Sequence, residues 1–121
     1  MATITCKLSL SSSTVTSDAL NISESAVLVT SNDVVQKRIA TSTTAAKFLE
    51  ADDYGKCYVY LKNLSTTTAE KIYIRTGATD SANIHELGAG EFIFFSWCGD
   101  EDLCYDADSG TPVLEIMLFE V

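Results

Sequence analysis

The chain has 121 residues, the length of one ordinary domain, with 46% hydrophobic residues and a formal charge of −9. That hydrophobic share supports a real core and excludes a chain disordered by composition. The charge is lopsided: residues 1–75 carry eight basic and seven acidic side chains, residues 76–121 ten acidic and none basic. Such a half repels nucleic acid, whose binding depends on neutralising phosphates, and disfavours an anionic membrane surface.

In chain order, residues 3–10 alternate strictly. Ile4, Cys6, Leu8 and Leu10 point one way and Thr3, Thr5, Lys7 and Ser9 the other, a half-buried strand. A Ser-rich break at 11–13 follows, then Val15, Leu20 and Ile22 suggest a short strand or extended loop. The run Ala26 to Thr30, a turn at Ser31-Asn32-Asp33 and the run Val34 to Thr41 read as a hairpin. Residues 42–51 are the one stretch with a helical alternative, and strand or irregular structure is favoured there. Asp52 to Gly55 is a turn. Lys56 to Asn63 is a strand with Cys57, Val59 and Leu61 inside and Tyr58, Tyr60 and Lys62 outside. Further strands are expected at Lys71 to Thr76, Asn83 to Leu87, Glu91 to Trp97, Leu103 to Tyr105 and Val113 to Glu120. The last is apolar on nearly both faces, which predicts a central position or a face covered by a partner chain. Eight to ten strands at this spacing predict an all-β fold, a single antiparallel β-sandwich, jelly-roll-like or Ig-like, over residues 1–121. Residues 1–12 form a terminal strand or arm. Edge strands pair with other chains unless protected, and Lys7 is its one charge, so this arm is expected in subunit contacts, with pairing inside its own sandwich as the alternative.

Chemistry-bearing residues are sparse. His85 is the single histidine, no nucleophile motif flanks it, and it reads as an outer-face residue with Ile84 and Leu87 handling burial. Asp100, Glu101, Asp102, Asp106 and Asp108 are five acids in nine residues. Crowded at a loop tip, they lack the cleft that glycoside hydrolysis needs. Asp106 and Asp108 are weak calcium candidates, since the EF-hand spacing fails. Cys98 and Cys104 have no second closely spaced pair to complete four zinc ligands. The N-terminus lacks the apolar core of a secretory signal, so a reducing compartment and free thiols are expected, with a Cys98–Cys104 disulfide as the alternative. Trp97, between a Phe pair and the acidic loop, either closes one end of the sandwich or anchors an interface. The expectation is a binding protein without catalytic residues or cofactor.

The segments Tyr58-Val59-Tyr60-Leu61-Lys62-Asn63, Ile72-Tyr73-Ile74, Leu87-Gly88-Ala89-Gly90-Glu91-Phe92 and Phe95-Ser96-Trp97-Cys98-Gly99-Asp100, with the closing strand Leu114-Glu115-Ile116-Met117-Leu118-Phe119-Glu120, resemble small virion structural proteins of tailed bacteriophages. The resemblance covers roughly residues 35–121. It implies a non-enzymatic β-sandwich subunit of a phage particle assembled in the bacterial cytoplasm, with capsid decoration (cement) proteins the nearest in size and class. Tail and head–tail connector proteins are competitors, as is a calcium-dependent carbohydrate-binding sandwich using Trp97. The implied partners are the major capsid protein, other virion subunits and further copies of the chain, with no nucleic acid or membrane. Ile4, Leu8, Leu10, Phe95, Trp97, Met117 and Phe119 are the interface candidates.

Overall fold

The computed structural model describes residues 1–15 and 18–121. The described residues form ten strands and no helix, so none long and apolar enough to cross a membrane. The chain divides into two compact units, Met1–Asn32 and Asp33–Val121.

The larger unit is an antiparallel β-sandwich of eight strands. One sheet has the order β3 (Val34–Ala40), β10 (Val113–Glu120), β5 (Cys57–Asn63), β8 (Phe92–Trp97). The other has the order β4 (Ala46–Leu49), β9 (Leu103–Ala107), β6 (Ile72–Thr76), β7 (His85–Leu87). Period-2 alternation explains the core directly. Val59 and Leu61 on β5, Ile72 and Ile74 on β6, and Leu114, Ile116 and Leu118 on β10 are all fully buried. Leu49, Leu87, Leu103 and Trp97 close the cluster. β10 is central, as its apolar character predicts, with β3 on one side and β5 on the other.

Buried polar groups are satisfied. Asn63, at the end of β5, donates through Nδ2 to Glu70 O (2.8 Å) and Leu87 O (3.0 Å), and its Oδ1 accepts from Ser65 N (3.0 Å). One side chain thereby ties β5 to the approach of β6 and the end of β7, where an apolar residue would leave three groups unpaired. On the edge strand β3, Lys37 shares the inward face with Val35 and Ile39, and its Nζ donates to Phe48 O (3.1 Å). An inward charge at a sheet edge discourages further strand pairing there.

The smaller unit is a long hairpin. β1 (Ala2–Ser12) and β2 (Leu20–Thr30) pair antiparallel from Ala2↔Thr30 to Ser12↔Leu20. This corrects two expectations. The segment from Leu20 to Thr30 is one continuous strand, and the hairpin of Ala26–Thr30 with Val34–Thr41 does not form. β2 pairs with β1 over eleven residues, and β3 pairs with β10. The longer ladder wins: the short turn at Ser31–Asp33 offered at most about five pairs to the run from Ala26, whereas β1 satisfies the whole of β2. Of the strand or loop expected from Val15 to Ile22, residues 16 and 17 lie outside the described residues.

Candidate functional site

The two outer faces of the sandwich differ sharply in chemistry. On the sheet β4-β9-β6-β7, the outward positions carry Lys47, Cys104, Arg75, Asp106, Tyr73 and Glu86. Charges there are matched: Arg75 Nη2 lies 2.6 Å from Asp106 Oδ2, Lys71 Nζ 3.2 Å from Glu86 Oε1, and Lys47 Nζ 3.3 Å from Asp102 Oδ2. Apart from Cys104, which is buried, this is a polar face with its charges paired.

The outward face of β3-β10-β5-β8 is aromatic and aliphatic. The register sets it out in rows: Val34, Phe119, Tyr58, Ser96; then Gln36, Met117, Tyr60, Phe94; then Arg38, Glu115, Lys62, Phe92. Tyr58 and Phe94 stack with centroids 6.2 Å apart, Tyr60 and Phe92 lie at 6.3 Å, and Lys56 Nζ sits 5.4 Å from the Tyr58 ring. Phe92 is 64% exposed and Val34 49%, while Phe94, Met117 and Phe119 are half-buried among their neighbours. This is a contiguous apolar surface rimmed by polar residues.

The arm is the second such surface. Directly opposed residues of an antiparallel pair share a face, so Ile4, Cys6, Leu8 and Leu10 of β1 lie with Leu28, Ala26, Glu24 and Ile22 of β2. Leu8 is 48% exposed and Leu10 45%. On the opposite face Val27 and Val29 are exposed beside Thr3 and Thr5. Among the interface candidates, Ile4, Leu8 and Leu10 therefore share one face of the arm, and Met117 and Phe119 the outer sheet face. Phe95 and Trp97 are elsewhere. They pair with Val59 and Cys57 and point inward, with Trp97 buried in the core. Its indole N–H donates to Glu101 O (3.1 Å), so it closes the sandwich and offers no platform to a sugar ring. Phe92 and Phe94 supply the surface aromatics instead. Strict alternation back from Trp97 would have identified them.

The acidic loop is a clasp. Gly99, at φ +82°, packs where an added Cβ would meet Gly55 O at 2.8 Å and Tyr54 O more closely still, and Gly99 O accepts from Asp52 N (3.2 Å). Asp102 Oδ1 accepts from Ala51 N (2.7 Å). That backbone donor, with Lys47 beside it, holds the Asp102 carboxyl below its ordinary value against an opposing cost of burial. Asp106, the first calcium candidate, has its carboxylate committed to Arg75, and Asp108 is exposed. Among the described residues no group of three or more His, Cys, Asp and Glu side chains is placed to hold a metal ion. All four cysteines are free. Cys104 is buried with its thiol donating to Gly77 O (3.4 Å), while Cys98 is exposed, so the alternative disulfide is not formed. Burial raises the Cys104 thiol pKa, with Asp102 adding to the effect.

His85 faces inward, opposite Ile74, with its ring 5.8 Å from that of Phe95. Ile84 is the exposed neighbour, at 49%. The expected outer-face histidine is thus reversed. Positions 84 and 87 differ by an odd number and cannot both face inward on a regular strand. An open groove of about 490 Å³ lies by Arg38, Ser65, Glu70 and Pro112, but Arg38 is paired with Glu115 (2.9 Å) and Glu70 with Ser65. Among the described residues, no buried side-chain polar atom lacks a partner.

The chain matches no family model, no curated protein and no solved structure.

Proposed function

We propose that this chain is a non-enzymatic structural subunit of a tailed-phage particle, a capsid decoration subunit that bridges and stabilises major-capsid subunits. One observation carries the assembly role: the fold leaves uncovered an aromatic sheet face, from Phe92 and Phe94 across to Met117 and Phe119, while its other outer face is paired off in salt bridges. A bridging subunit needs such a surface, and lattice symmetry multiplies modest contacts into firm retention. The excess acid of residues 76–121 suits a subunit turned towards solvent rather than towards packaged DNA. The capsid position is favoured over tail or connector by size and class. Mass spectrometry of particles of the encoding phage tests the reading: the chain is expected in stoichiometric copies, and its absence from purified virions overturns it. Imaging of labelled chain on intact particles separates capsid from tail.

A further inference from the structure

A two-stranded ribbon is marginal by itself in water and gains independent stability from a third strand or a packing surface. The arm β1–β2 is such a ribbon, eleven residues long, with Leu8, Leu10 and Ile22 exposed on one face. The sandwich offers the reciprocal surface, where Tyr60, Phe92, Phe94, Met117 and Phe119 face outward. We propose that the apolar face of the arm docks on the outer β3-β10-β5-β8 face of a second copy of this chain. The inference rests on the reading of the chain as an assembly subunit and specifies how its copies join.

Charge selects this occupant. Glu24 stands in the apolar stripe of the arm, opposite Leu8, and has no ion-pair partner among the described residues. Packing two arms face to face would bury this carboxylate against leucine or against its own copy, at a large desolvation cost. On the sheet face, Lys62 lies between Glu115 and Phe92 in the third row, itself without an ion-pair partner among the described residues. Glu115 is already engaged by Arg38. An arm laid across this face therefore brings the one carboxylate of its apolar stripe, Glu24, to a surface with an available ammonium. Edge-to-edge pairing of arms would leave both apolar surfaces exposed.

Area sets the stoichiometry. At strand spacings of ~4.8 Å and rises of ~3.3 Å per residue, the sheet face measures roughly 19 by 23 Å and the arm is about 10 Å wide. One contact buries on the order of 500 Å² from both partners, below the ~1,000 Å² that a specific interface should clear. A reciprocal dimer, in which each subunit lends its arm to the other and receives the other's, puts two contacts into one interface and reaches that figure, whereas a ring leaves one contact between each pair of neighbours.

Sedimentation velocity on the full chain tests this with Glu24→Lys, Lys62→Glu, their equimolar mixture and the double variant. The wild type is expected as a closed oligomer. Each single variant should associate at least about tenfold more weakly, since like charges then meet. The mixture and the double variant should both recover, because an arm carrying the ammonium then meets a sheet face carrying the carboxylate. A wild type that stays monomeric, or single variants that associate like wild type, overturns the proposal. Recovery in the double variant but not in the mixture places the arm on its own sheet and overturns it too. Should either substitution abolish the β-sheet circular dichroism, Leu10→Asp takes its place, and an unchanged oligomer is then the refuting result. Particle composition is read separately. A chain present in virions but monomeric in solution refutes the arm docking alone, and a closed oligomer missing from virions refutes the virion role alone.

Discussion

Phe94 and Phe95 are chain neighbours with opposite environments: Phe95 pairs with Val59 and packs on the core, and Phe94 stacks on Tyr58 at the surface. Their chemistry is the same, and the parity of the strand separates them. The same parity turns His85 inward and Ile84 out, so a reading that weighs each residue by hydrophobicity goes wrong where strict alternation would not. The acidic loop is legible in the sequence as acidic, but not as bonded. Asp102 is distinguished from Asp100 by Ala51 N–H and Lys47, groups that lie about fifty residues earlier in the chain. Its lowered pKa makes a testable statement. A carboxyl depressed in the folded state contributes stability above its unfolded pKa, ordinarily 3.8, and loses it as pH falls through the lower folded value. Asp102→Asn should therefore be less stable than wild type at neutral pH, with the difference closing at strongly acidic pH. Urea midpoints measured from pH 7 downward check this. A gap that stays constant with pH refutes it.

Strand existence is readable from β5 to β10 because these are short runs rich in β-branched and aromatic residues bounded by turn residues, and all six form close to their expected bounds. Pairing is not readable, since alternation says which way side chains point and nothing about which strand lies alongside. That is why the turn at Ser31–Asp33 suggests β3 as the neighbour of β2 when its partner is β1. The consequence appears in truncation. Removing residues 1–12 takes away β1 and leaves eleven residues of β2 as an unprotected edge, which should aggregate. Removing residues 1–32 takes out the whole hairpin at the boundary between units, and Asp33–Val121 should fold with its core intact. Two-dimensional amide NMR spectra of the two truncations decide the matter: a dispersed spectrum for the first and a collapsed one for the second would contradict the division.

At the scale of the molecule, the two units differ in how they are held. The sandwich has more than a dozen buried apolar side chains from two sheets, while the hairpin exposes Leu8, Leu10, Ile22, Val27 and Val29. Stability should therefore be stepped. In chain diluted below its association range, amides of β5 and β10 should exchange only on global unfolding. Those of β1 and β2 should exchange at least about a hundredfold faster, through local opening. Hydrogen exchange resolved by strand measures this, and equal protection of both units would refute it. The same contrast gives the assembly reading its physical sense. A surface poorly covered in the single chain is the one with most to gain from a partner.

By itself the sequence determined the class of the fold, the inward and outward sets of most strands, the central character of β10 and the uneven charge, because all of these follow from local period and composition. Only the tertiary structure decided the rest. It put Trp97 in the core, committed Asp106 to Arg75, set β1 against β2, and brought Phe92 and Phe94 from β8 beside Tyr58 and Tyr60 from β5 and Met117 and Phe119 from β10 as one outer face. Each of these depends on which strands become neighbours. That choice is settled by the summed burial of a whole sheet, which no single segment carries.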